Sequence, residues 1–170
     1  MRVIARSDSL PRHAADIFPG VALVAYDLRP GHRGPLHKVV FFRNKRDLGR
    51  AWRRLQVLRG DSPPVQHMGP ARGFVHQCHT YCVNLETCRE KLLVDKRYAS
   101  IICLLGPGID HEVCAHEALH AAMAHLRRVR RDPDATIVSM DDEEDVAYPL
   151  GWIASQLIRF AAIEGWLKPC

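Results

Sequence analysis

The residues whose types and spacing can do chemistry lie in one short segment, Cys114-Ala-His116-Glu117-Ala-Leu-His120-Ala-Ala. On a helix, His116 and His120 project from one face about one turn apart. Two imidazoles so placed can hold one Zn²⁺ at about 2.0–2.1 Å each. Glu117 points too far round the helix to join them as a ligand. Its natural role is to take a proton from a water that the metal has acidified to a pKa of about 7. This division of labour is why H-E-x-x-H recurs in metallopeptidases.

A catalytic zinc usually takes three protein ligands and keeps one position open. His125 follows His120 by five residues, about 140° further round a helix, so it points elsewhere, and His111 is similarly displaced from His116. The extended metzincin pattern, with a third histidine downstream, is absent. The acidic run Asp141-Asp142-Glu143-Glu144-Asp145 enters a later helix and offers carboxylates to complete a His₂Glu set. A solvated cluster favoured by the helix dipole is the plainer reading of any single member of that run.

The elements that must position these groups are legible from pattern. Val21–Leu28 and Leu36–Arg43 read as strands joined by the turn-forming RPGHRGP. Lys45–Leu58 reads as a helix, with Leu48, Trp52, Leu55 and Leu58 at three- and four-residue spacing. Gly73–Leu85 alternates over much of its length and reads as one strand. Tyr98–Leu105 is a continuous apolar run, expected to be buried on both faces and placed to pair with an extended substrate. After Gly106-Pro107-Gly108, Asp110 is the expected N-cap of a helix over 111–128. A last helical region spans about 142–166, and Pro149 should kink or split it. Strands first and helices last make an α+β layout, expected as one domain over 1–170. Its strand-rich basic part is 1–95, and 96–170 holds the helices of the metal site.

Composition sets outer bounds. The chain has 170 residues and a net charge of +5. Residues 1–100 carry about 18 Lys and Arg against about 8 Asp and Glu, and 101–170 about 6 against about 11. The basic half could meet nucleic acid or an acidic partner, although few aromatics accompany it. No apolar run approaches the roughly 20 residues of a membrane span, and the N-terminus lacks a signal-peptide h-region, which favours the cytoplasm without membrane contact. The six cysteines are then expected to be reduced. His76, Cys78, His79, Cys82 and Cys88 form a second soft-ligand cluster whose spacing matches no standard C-x-x-C finger.

HEALHAA followed about 24 residues later by EEDVAYPLG resembles the short-spacer gluzincins. More closely, it resembles small phage and bacterial metallopeptidase-like proteins with an H-E-x-x-H-A helix and a later E-E-x-x-A-Y helix, and more remotely the ImmA/IrrE type that cleaves repressors. The resemblance covers about residues 100–165. It implies a small zincin-like fold, one Zn²⁺, and a third ligand in an E-x-x-A pattern, which Glu144 to Ala147 fits, with Glu143 next in line. It also implies hydrolysis of a peptide or protein substrate. Two other readings fit the residues: a non-catalytic phage or mobile-element interaction protein with a structural or vestigial metal site, and a basic nucleic-acid-associated protein whose motif is accidental.

Overall fold

The computed structural model describes residues 5–7, 22–31, 34–59, 71–84, 89–94, 98–132, 135 and 140–168. Its elements in chain order are β1 (Ala5–Ser7), β2 (Ala22–Leu28), β3 (Leu36–Phe42), α1 (Lys45–Arg59), β4 (Gly73–Gln77), β5 (His79–Asn84), β6 (Arg89–Val94), β7 (Tyr98–Leu105), α2 (His111–Arg130) and α3 (Met140–Ile163). The class is α+β, as expected. Five strands form a mixed sheet in the order β1-β2-β3-β7-β4, and β5 pairs with β6 in a separate hairpin. β3 and β7 run parallel, with Val39 opposite Ile102, while β4 lies antiparallel to β7, with Val75 opposite Ile102.

All eight residues of β7 are buried. Strands flank it on both sides and helices cover both faces, which is what its unbroken apolar run requires. Side chains alternate between two cores. Val39, Phe41, Ile102 and Leu104 meet Cys114, Ala118 and Ala121 of α2 and Ile153, Leu157 and Phe160 of α3. Val40, Phe42, Ile101, Cys103 and Leu105 meet Leu48, Ala51 and Leu55 of α1. The small residues of α2 let the helix lie close to the sheet and to α3.

Two polar groups interrupt these cores. Lys38 is fully buried, donates to Asp27 Oδ1 at 2.7 Å, and shares that oxygen with the Tyr98 hydroxyl at 3.2 Å. On the other face His37, also fully buried, bonds Ser100 Oγ through Nδ1 at 2.8 Å. Its Nε2 lies 3.3 Å from His125 Nδ1 and so joins the sheet to α2. His125, displaced from the face of His116 and His120, thus has a structural partner of its own.

Several expectations are refined. The stretch Gly73–Leu85 is two strands, because a bend at Cys78, whose N–H donates to the Ala99 carbonyl at 2.9 Å, sends β5 out of the main sheet. Asp110 caps α2 as expected, accepting from the Val113 N–H at 2.8 Å. The helix stops where Arg131 turns left-handed at φ 56° and its N–H reaches back to the helix carbonyls. Pro149 neither ends nor splits α3. The carbonyl that a proline cannot satisfy belongs to Asp145, four residues earlier and exposed, where water can bond it. By length and composition Glu143–Ile163 is long and apolar enough to cross a membrane, yet Trp152, Ile153, Leu157 and Phe160 on it are core residues.

Candidate metal centre

His116 and His120 stand on the exposed side of α2. Their Nε2 atoms are 3.2 Å apart, and the rings meet edge to face at 80°. Two nitrogens each about 2.05 Å from one ion at a tetrahedral angle are separated by about 3.3 Å. The pair therefore fits two corners of such a site as it stands. Burial, and then the neighbouring His116, lowers the His120 pKa, which favours the neutral imidazole that binds a metal.

Glu117 lies on the other side of the same turn and is buried, only 5% exposed. Burial pushes its carboxyl up to about 7. Its Oε2 has no hydrogen-bond partner among the described residues. Backbone lies against the other side-chain atoms of this residue. A β-carbon on Gly73, the first residue of β4, would stand 2.9 Å from Glu117 Cγ and 2.8 Å from Leu104 Cδ2, so only glycine lets the strand lie against this carboxyl. A buried, unpartnered carboxyl with a near-neutral pKa is a costly feature for a fold to keep and a useful one for proton transfer.

An open cleft of about 590 Å³ runs along this edge, lined by Ala71, Arg72, Gly73, Glu112, Val113, His116 and Glu117. Arg72 is fastened to the strand–helix turn by a bond from its guanidinium to the Pro107 carbonyl at 3.1 Å. The contributions of Ala71, Arg72 and Gly73 escape sequence reasoning, because nothing local marks a loop some forty residues upstream as the wall of this cleft. The expected substrate-pairing strand, Tyr98–Leu105, cannot serve: both its edges are occupied, by β3 and β4. Among the described residues β4 is the edge strand on this side.

The sheet and α2 thus bring His116, His120 and Glu117 together. Among the described residues, Glu143, Glu144 and Asp145 do not join them in a metal-binding group. The α2–α3 pair is antiparallel, with Val146 packing on Ala122 and Leu126 and with Asp145 bonded to Arg130 at 3.0 Å. Glu143 and Glu144 are exposed near the last turns of α2, roughly two to three turns beyond His120. Among the described residues no third His, Cys, Asp or Glu completes a metal-binding group. Of the second soft-ligand cluster, Cys78 is buried with Sγ 3.9 Å from the His76 carbonyl. The side chains of His79 and Cys82, and all of Cys88, lie outside the described residues.

No protein-family model, curated protein or solved structure matches this chain.

Proposed function

We propose that the chain is a zinc-dependent metallopeptidase with a zincin-like arrangement, in which a mixed sheet packs on the H-E-x-x-H helix α2 and on the C-terminal helix α3. The observation that carries this reading is the convergence of His116 and His120 to 3.2 Å beside the buried, unpartnered Glu117. A helix bearing two incidental histidines gives no reason to keep an ionisable group buried next to them.

His116 and His120 are the residues that would hold the zinc. When bound, the ion supplies Lewis acidity at a scissile carbonyl and makes water a better acid. Glu117 acts as general base and then general acid. With its pKa near 7, its Oε2 takes the proton of the attacking water and returns it to the leaving amine. The carboxyl lines the cleft where that water would stand. An extended peptide lies along β4, whose first residue and the two before it line the cleft, with main-chain pairing on the edge that no described strand occupies. A protein or peptide substrate in the cytoplasm belongs to this proposal. The buried thiols of Cys103 and Cys114, neither in a disulfide, support a reducing setting.

The test is zinc content and hydrolysis of a quenched fluorescent peptide library by wild type, His116→Ala and Glu117→Gln. Wild type should hold one zinc and cleave, Glu117→Gln should hold zinc and lose at least about a hundredfold in rate, and His116→Ala should lose both. Equal cleavage by wild type and Glu117→Gln would remove the catalytic assignment, and wild type without stoichiometric zinc would remove the site.

A further inference from the structure

On the face of the sheet opposite α2, helix α1 carries Lys45, Arg46, Arg50, Arg53, Arg54 and Arg59, with Asp47 its single acid. Arg46, Arg50, Arg53 and Arg54 are all exposed, whereas Leu48, Ala51 and Leu55 are buried in the core beneath. At about 100° per residue, Arg46, Arg50 and Arg53 fall within about 60° of one another, nearly opposite the buried side. They form a row about 10 Å long pointing straight out from the sheet. Asp47 contacts only one member of it, Arg50, at 3.3 Å.

We propose that this row is a docking surface for the phosphate backbone of duplex nucleic acid. Charge complementarity and spacing select that partner. The row is built from arginines, whose planar forks suit phosphate oxygens better than lysine does. Steps of four and then three residues set their attachment points about 6 and about 4.5 Å apart along the axis, suited to a repeating linear charge rather than to one isolated anion. A membrane surface fits less well, because an interfacial helix inserts its apolar side and here that side is already in the core. Single strands fit less well too, since they need aromatic platforms. The helix's one aromatic, Trp52, is half-buried edge-on against Phe74, with ring centroids 5.0 Å apart. Binding here is independent of sequence, because the row meets phosphates and not base edges. It also leaves the cleft on the other face of the sheet accessible.

The experiment measures binding of a fluorescein-labelled 30-base-pair DNA duplex from 50 to 200 mM salt. Wild type should bind with a log–log salt slope of magnitude about 3 or more, each phosphate contact contributing about 0.9. The variant Arg46→Gln/Arg50→Gln/Arg53→Gln should lose most of that slope and bind at least about tenfold more weakly at 50 mM salt. The control Arg131→Gln/Arg159→Gln/Lys168→Gln, which removes the same charge from other exposed positions, should bind within about twofold of wild type. The proposal is overturned if wild type shows no salt-dependent binding, if the α1 variant binds as wild type does, or if the control loses as much. Equal competition by polyglutamate, or by phosphatidylserine vesicles, in place of unlabelled duplex would also overturn it. The wild-type slope stands as a test even if a variant fails to fold.

Discussion

Gly73 and Glu117 are in backbone-to-side-chain contact: a methyl group on the glycine would stand 2.9 Å from the glutamate Cγ and 3.1 Å from its Oε1. The strand that walls the cleft and the carboxyl packed against it are therefore a matched pair. Gly73→Ala must push one away from the other. Overpacking of this kind costs about 1–3 kcal/mol, and urea denaturation should show a fall in midpoint of that size. Because the displaced strand lets water reach Glu117, the carboxyl should also titrate closer to its ordinary range, which NMR of the labelled carboxyl carbon can follow.

Glu117 makes the metal-free protein pH-sensitive in a defined direction. Its folded pKa, about 7, lies above the ordinary 4.5. The folded state thus holds the proton more tightly than the unfolded chain does. The stability associated with this group is fully present below about pH 4.5 and is lost as pH rises through about 7. Glu117→Gln removes that loss. In the presence of a chelator the variant should match wild type near pH 4.5 and exceed it by about 2–3 kcal/mol at pH 8. A constant difference across that range would contradict the burial of an ionisable group here.

The helical part of the site was readable in advance and its lid was not. Four-residue spacing alone places His116 beside His120, and Asp110 marks where their helix begins. Continuous apolar character marks β7 as internal, but it cannot say which strands flank it, and so it does not reveal that β4 lies between β7 and the cleft edge. Alternation carries on across Cys78, which hides the bend that separates β4 from β5. The short, charge-bearing REKLLV of β6 gives no strong pattern of either period. The burial of Glu117 depends on Gly73, a residue with no side chain to advertise a contact.

The histidines oppose Glu117 in their demands on acid. His37 is fully buried, and burial, followed by the neighbouring His125, holds its pKa down to about 3, while burial holds His125 down to about 4. Both must stay neutral in the folded state. Their contribution is present above about pH 6.5, the unfolded value, and is lost as pH falls toward 3–4. Acid denaturation should therefore begin below pH 6. His37→Asn, which keeps a polar group opposite Ser100, should be less stable at pH 7. It should also lose about 2–4 kcal/mol less than wild type between pH 6.5 and 4. Parallel curves for the two proteins would show that the pair does not govern acid stability.

Glu144 and the histidine pair can be separated by metal titration. The resemblance implies a ligand, and the packing of α3 places the residue beside the far end of α2. The placement leads us to expect Glu144→Gln to bind zinc within about twofold of wild type. His120→Ala should weaken binding by at least about a hundredfold, so that zinc at about a hundred times the wild-type Kd raises its Tm far less than that of wild type. Calorimetric titration of both variants decides between ligand and bystander, because a lost ligand shows directly in the affinity.

The parallel ladder between β3 and β7 bears on when the site assembles as the chain folds. Val39 and Ile102, paired there, stand far apart in sequence, and closing so long a loop is slow compared with winding a helix. His116 and His120 need only one turn of α2 to find each other. Glu117 acquires its cover only when β4 has joined β7. In the refolding chain the two imidazoles can thus come together before Glu117 is covered, and under the proposed function the order of assembly would separate metal capture from the power to use it.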